Sequence, residues 1–135
     1  MGVSLTKDSI DLGIVVKDGE AALKFYRDTL GFEFVASTPL PGGGGTMHRL
    51  MCGTTMVKVV VPEVAPAASA PPGGTRGATG IRYWTISVSN LEEIAAACGA
   101  AGYRVSVTPR EIRPGVSIAM VEDPEGNTVE FLQST

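Results

Sequence analysis

The sequence has few of the residues that build metal or redox centres. Histidine occurs once, at position 48, and the two cysteines, Cys52 and Cys98, lie far apart. A single histidine excludes the common metal sites that need two, and isolated cysteines exclude a CxxC motif. Cys98 falls on the apolar face of a predicted helix, so we expect buried free thiols and a reducing, cytoplasmic compartment.

The sequence also has no large excess of positive or negative charge and no long apolar run. Eleven Lys and Arg stand against 14 Asp and Glu, and no basic run indicates nucleic-acid binding. No apolar stretch reaches the roughly 18 residues that a membrane-spanning helix needs. Apolar residues nevertheless make up 44% of the 135 residues, enough for a packed core. We therefore expect one globular domain over residues 1–135, with neither nucleic acid nor a membrane as partner.

Glycine and proline are abundant, with 17 and 9 residues, which predicts many turns between short strands. In the first half, apolar patterns predict a strand, a helix that Asp18 caps, and three strands, at 10–17, 20–31, 32–37, 46–52 and 55–61. Residues 62–79 are rich in Pro, Ala, Gly and Ser and predict a linker. The second half predicts the same order of elements, at 81–88, 91–101, 103–108, 116–121 and 128–132. A loop at 109–115 precedes the last two strands. Asn90 and Glu93 form a capping-box-like start for its helix.

The second half repeats the first at an offset of 72 residues, which relates Val16-Lys17-Asp18 to Val88-Ser89-Asn90 and Lys58 to Glu130. Such a repeat indicates two copies of one supersecondary unit. We expect an α+β fold of two βαβββ units, at 8–61 and 80–135, each with a curved mixed β-sheet and an outer helix.

Strand alternation predicts which side chains share a sheet face. Trp84 and Ile86 should face the helix, so that Tyr83 and Thr85 point the other way. By the offset, Asp11 shares the face of Tyr83, and Lys58 and Glu130 lie on the corresponding faces of their strands. If the sheets curl, these residues line a cavity.

The segments KFYRDTLGF and DPEGNTVEF, at 24–32 and 123–131, together with the repeat, resemble the vicinal oxygen chelate superfamily. That superfamily includes glyoxalase I, extradiol dioxygenases and bleomycin resistance proteins. The resemblance implies the two-unit fold and a homodimer. It also implies that metal-ligand positions fall at Asp11, Lys58, Tyr83 and Glu130, where only Glu130 keeps the usual residue. A lysine ammonium repels a divalent cation, so we expect no metal and no other cofactor.

The resulting functional expectation is a protein that binds a small organic molecule in a sheet-lined cavity. The alternatives are a lyase, isomerase or dioxygenase that uses a metal through Glu130 and Asp11, or a metal-free enzyme with Glu130, Lys58 and Tyr83 as acid–base groups. The remaining interpretation is that Lys58 and Glu130 form only a structural salt bridge. The candidate ligand-binding residues are Asp11, His48, Met56, Thr85, Arg110 and Arg113. His48 also fits a surface or core position, and the two loop arginines could receive a carboxylate or phosphate.

Overall fold

A computed structural model describes residues 2–135; Met1, which the predicted domain includes, lies outside them. The chain divides into two units between Pro66 and Ala67. The first contains β1 (Leu12–Val15), α1 (Gly19–Leu23) with a π-helical continuation (Lys24–Thr29), β2 (Glu33–Pro39), β3 (Gly45–Cys52) and β4 (Thr55–Pro62). The second contains a 3-10 turn (Gly74–Arg76), β5 (Tyr83–Ser87), α2 (Leu91–Ala100), β6 (Val105–Arg113), β7 (Val116–Glu122) and β8 (Thr128–Ser134). The predicted boundaries at 8–61, 62–79 and 80–135 stay a prediction.

Each unit holds one four-stranded mixed sheet, in the order β1-β4-β3-β2 or β5-β8-β7-β6. The first two strands of each order are parallel and the other pairs are antiparallel. Gly13 is paired with Lys58 in one unit, and Thr85 is paired with Glu130 in the other. The residue numbers of both partners therefore differ by 72 between the units. The α+β fold of two βαβββ units and the register of the repeat are therefore confirmed.

The helix of each unit packs against its sheet, and the strand residues on that side form the core. Val57 and Val59 of β4 and Val129 of β8 are completely buried. In the first unit, the predicted helix changes to π-helical winding at Lys24, and the Leu30 amide donates to the Phe25 carbonyl at 2.9 Å. The wider turn brings Phe25 into the core beside Tyr26, and both side chains are completely buried.

The two helices begin with different caps. The Asp18 carboxylate accepts a hydrogen bond from the Ala21 amide at 3.1 Å, which confirms the predicted cap. The predicted capping box at Asn90 is wrong, because the Asn90 side chain makes no cap bond. Instead, the Leu91 amide donates to the Gln133 side-chain oxygen at 2.8 Å. An acceptor from β8 thus satisfies one of the free amides of the first helical turn.

The predicted loop at 109–115 is wrong over most of its length, since β6 continues to Arg113. Arg110 is paired with Ile118 and Arg113 with Val116, across several irregularities of register. The β6 strand lies at the edge of its sheet. An edge strand tolerates Pro109 because the missing amide is not needed for a further strand.

The predicted linker contains a fixed turn. The Arg82 guanidinium, at the start of the second sheet, donates to the Gly74 carbonyl at 2.7 Å and to the Pro71 carbonyl at 2.6 Å. We call residues Pro71–Arg76 the linker turn. Within residues 2–135, no helix has the length and apolar character required to cross a membrane.

Candidate functional site

We call the sheet face that points away from the helix the open face of each unit. On the open face of the second unit, Thr85, Glu130 and Met120 form a row across three neighbouring strands. Glu130 is only 9% exposed, and its Oε1 accepts a hydrogen bond from the Thr85 hydroxyl at 2.7 Å. Tyr83 lies two residues before Thr85 on the same face and is 44% exposed. The structure therefore brings together Thr85 and Glu130 of the predicted set.

A cavity of about 220 Å³ lies at one end of this open face. The linker turn forms one wall, and β6, β7 and β8 form the rest. The lining residues are Gly73, Gly74, Thr75, Arg104, Ser106, Val107, Met120, Glu122 and Thr128. Arg104 and Glu122 form an ion pair of 3.0 Å there. This wall combines hydroxyl groups, one ion pair and apolar side chains, which is the mixture that binds small organic molecules.

Most of this lining was not predicted from the sequence. Thr128 does follow from strand alternation, because it precedes Glu130 by two residues and shares its face. The part played by the linker turn had no sequence signal, since it depends on hydrogen bonds from Arg82 to backbone carbonyls of the turn.

On the open face of the first unit, Lys58 lies at the centre of a row. Its neighbours are Gly13 on β1 and Arg49 on β3. Met56 and Met51 are paired directly beside this row. The sequence predicted Lys58 and Met56 on this face, but Arg49 was missed. Its position could have been counted from the two-residue turn at 53–54 that joins the paired strands.

The Asp11 carboxylate is already engaged within the first unit. Its Oδ1 accepts from the Lys7 ammonium at 2.6 Å and from the Met56 amide at 2.9 Å. The hydrogen bond from Lys7, followed by that from Met56, lowers the pKa of Asp11 below its usual value. Asp11 is thus a structural acceptor that ties the start of β1 to β4.

His48 lies on the helix side of the first sheet, where it is paired with the buried Val59. Its Nδ1 is 2.6 Å from the Ser37 hydroxyl. A Cβ atom added to Gly19, at the start of α1, would be 3.2 Å from its Nε2. His48 therefore does not share a face with Lys58, and the surface or core interpretation of this residue fits its position.

The predicted residues are distributed over the two units, with Asp11 and Lys58 in the first and Tyr83 and Glu130 in the second. Their convergence in one cavity stays a prediction, as does a ligand-binding role for Arg110 and Arg113, which are exposed on β6. Among residues 2–135, no group of three or more His, Cys, Asp or Glu side chains is arranged to hold a metal ion.

Residues 9–131 match the family described as Glyoxalase/Bleomycin resistance protein/Dioxygenase superfamily. A similar fold occurs in a glyoxylase/bleomycin resistance protein/dioxygenase domain from Frankia sp. EAN1pec, with TM-score 0.79, 15% identity, and coverage of 98% of this chain and 94% of that chain. TnmS3, an antibiotic binding protein from Streptomyces sp. CB03234, has TM-score 0.69 and 22% identity, with 98% and 100% covered. A superfamily member from Sphaerobacter thermophilus DSM 20745 has TM-score 0.73 and 22% identity, with 96% and 100% covered. No curated protein sequence matches the chain.

Proposed function

The chain belongs to the Glyoxalase/Bleomycin resistance protein/Dioxygenase superfamily, and from this premise we propose that it binds a small organic molecule without a catalytic metal. The observation that carries the proposal is the cavity of about 220 Å³ on the open face of the second unit. This volume is below the usual range for drug-sized ligands, about 300–1,000 Å³. It suits a molecule of roughly one or two rings, or one end of a larger molecule.

The walls of the cavity supply both parts of such recognition. Met120 and Val107 offer apolar surface, and the flexible Met120 thioether can adapt to irregular shapes. The Ser106 and Thr128 hydroxyls can donate or accept hydrogen bonds. The guanidinium of Arg82 fixes the linker turn, so part of the wall is already in place before a ligand arrives. A preformed wall reduces the entropy lost on binding.

The side chains at the expected metal-ligand positions do not fit a divalent cation. Lys58 carries a positive charge and has no lone pair while protonated. Asp11 already accepts from Lys7 and from a backbone amide. A phenol such as that of Tyr83 is not among the thiolate, imidazole and carboxylate groups that usually hold such ions. This chemistry of the donor set supports binding without a metal.

The fold itself is compatible with sequestration of a ligand, since the similarly folded TnmS3 is named as an antibiotic binding protein. Scaffold similarity does not transfer a ligand. We therefore base the choice of ligand on the residues of the cavity.

A matched pair of tryptophan variants tests the proposal. Ser106→Trp would fill the cavity from an exposed position, and Thr108→Trp makes the same change on the same strand outside the lining. In a thermal-shift screen of one- and two-ring organic compounds, we expect hits for the wild type and Thr108→Trp but not for Ser106→Trp, since ligand binding stabilises the native state. Metal analysis of protein purified without chelator should find less than one transition metal ion per chain. Equal hits with both variants, or stoichiometric metal, would contradict the proposal.

A second candidate is a metal-free lyase or isomerase, which the environment of Glu130 favours. This carboxylate is nearly buried, and its observed partner is the single hydroxyl of Thr85. An ionised carboxylate can accept several hydrogen bonds, so Glu130 keeps capacity to take a proton from a bound molecule. We would detect this by exchange of carbon-bound hydrogens of a screening hit in D₂O, followed by NMR. Exchange that is lost in Glu130→Gln while binding persists would favour the enzyme over the binding protein.

We also propose a homodimer in the cytoplasm. The superfamily resemblance supports the dimer, and the 54% exposure of Val15 on the open face of the first unit is compatible with it. Sedimentation velocity at micromolar concentration would separate the dimer from a monomer.

A further inference from the structure

The open face of the first unit carries two positive charges directly opposite each other. Arg49 of β3 and Lys58 of β4 are register partners, and such partners have Cβ atoms about 5 Å apart. Like charges at this distance destabilise a sheet unless an anion neutralises them. The carboxylate of Asp11 lies at the end of the same face; its Oδ1 accepts from Lys7 and the Met56 amide, and its attraction to Lys58 is the weakest of the effects that lower its pKa.

The hydrogen-bonding capacity of these two cations is largely unused. The Arg49 guanidinium reaches the Thr38 hydroxyl at 3.4 Å and the Met56 sulfur at 3.7 Å, both long contacts. Among residues 2–66, the described part of this unit, the side-chain ammonium of Lys58 donates no hydrogen bond and forms no salt bridge. A guanidinium has five N–H donors and an ammonium has three. Both side chains are half-buried, so most of these donors are available to an anion.

The third position of the row provides space. A Cβ atom added to Gly13, the neighbour of Lys58 on β1, would meet nothing within 4 Å. The equivalent position in the second unit is Thr85, whose hydroxyl satisfies Glu130. The charged residue of the second unit therefore has a hydrogen-bond donor beside it at this position, whereas the first unit has a cation with an empty position beside it.

The surroundings of the row are apolar. Met47 and Met51 alternate with Arg49 along β3, and Met56 alternates with Lys58 along β4, so all three share the open face. Methionine side chains adapt to flat or irregular organic surfaces. The face thus combines two adjacent cations with a flexible apolar surface.

We propose that Arg49 and Lys58 bind the carboxylate of a small organic anion, whose apolar part lies over Gly13 and the neighbouring methionines. Arginine holds a carboxylate through paired N–H donors, and the ammonium adds a second charge-assisted bond. This site lies in the first unit, so it does not depend on the cavity of the second.

NMR titration of the full-length chain tests the proposal with sodium benzoate as the probe. Benzoate should shift the backbone amide signals of Gly13, Arg49 and Lys58, while uncharged benzamide and inorganic phosphate should bind at least about tenfold more weakly. Lys58→Gln should weaken benzoate binding about tenfold, which corresponds to one charge-assisted hydrogen bond. Lys24→Gln removes the same charge from the exposed side of the helix and should leave the affinity unchanged.

Several results would overturn the proposal. One is the absence of shifts at these three amides at millimolar benzoate. Another is binding of benzamide or phosphate as tight as that of benzoate. The third is an unchanged benzoate affinity in both Lys58→Gln and Arg49→Gln. Well-dispersed amide spectra of the variants would show that they are folded. Benzoate shifts confined to Ser106 and Met120 would support the cavity of the second unit while contradicting the site at Lys58.

Discussion

The hydrogen bond between Thr85 and Glu130 should contribute measurably to stability. Thr85→Val keeps the shape of the side chain and removes the hydroxyl that donates to the Glu130 carboxylate at 2.7 Å. Hydrogen bonds to charged groups contribute about 1.5–3 kcal/mol, and neutral ones about 0.5–1.5 kcal/mol. Because Thr85 itself is exposed, we expect a loss near the lower end, about 1.5 kcal/mol.

A double-mutant cycle at pH 7 isolates this contribution. Urea unfolding would be measured for the wild type, Thr85→Val, Glu130→Gln and the double variant. In the Glu130→Gln background the acceptor is a neutral amide, so the cost of removing the Thr85 hydroxyl should fall by about 1 kcal/mol. Thr108→Val is the control, since the hydroxyl of this exposed threonine of β6 makes no hydrogen bond among residues 2–135. It should change stability by less than about 0.5 kcal/mol.

Two results would refute the reasoning. One is a loss in Thr85→Val no larger than that in Thr108→Val. The other is that Thr85→Val lowers the free energy of unfolding equally in the wild-type and Glu130→Gln backgrounds, which would mean that no charged acceptor is involved. The dependence of unfolding on urea concentration must stay the same across the series for the comparison to hold.

Two further predictions concern the helix of the second unit. Gln133→Ala removes the acceptor of the Leu91 amide and should lower the free energy of unfolding by about 1 kcal/mol. The control Asn90→Ala should change it by less than about 0.5 kcal/mol. Equal losses of the two variants in urea titrations would contradict capping by Gln133. Burial raises the pKa of Cys98 from 9.0 to about 11. The stability that this thiol contributes is thus complete below pH 9 and lost between pH 9 and 11, by about 2–3 kcal/mol. Cys98→Ala should lose less stability over this range, and identical pH profiles would contradict the assignment.

The sheet faces could be predicted because strand alternation and the repeat constrain each other. A shift of one residue would turn every buried side chain to the open face. The burial of Val57 and Val129 therefore fixes where Lys58 and Glu130 must point. The pairing of Lys58 with Arg49 followed from the same register and could have been predicted as well.

The features that were not predicted depend on tertiary contacts or on strand order, which local sequence rules do not consider. The cap of the second helix comes from Gln133, 42 residues after Leu91, whereas capping rules consider only nearby side chains. The linker turn is held by Arg82 through carbonyl groups that have no side-chain signal. Strand β6 passes through Pro109 because it is an edge strand, which local composition does not reveal.

The two units show how one scaffold can carry different chemistry. Both keep the same parallel register, but the paired positions hold Gly13 and Lys58 in one unit and Thr85 and Glu130 in the other. These positions do not belong to the apolar core beside the helix, because they lie on the opposite face of the sheet. A substitution there changes charge and hydrogen bonding with little effect on the fold. Membership in the superfamily therefore establishes the scaffold, and the ligand must be argued from the open-face residues of this chain.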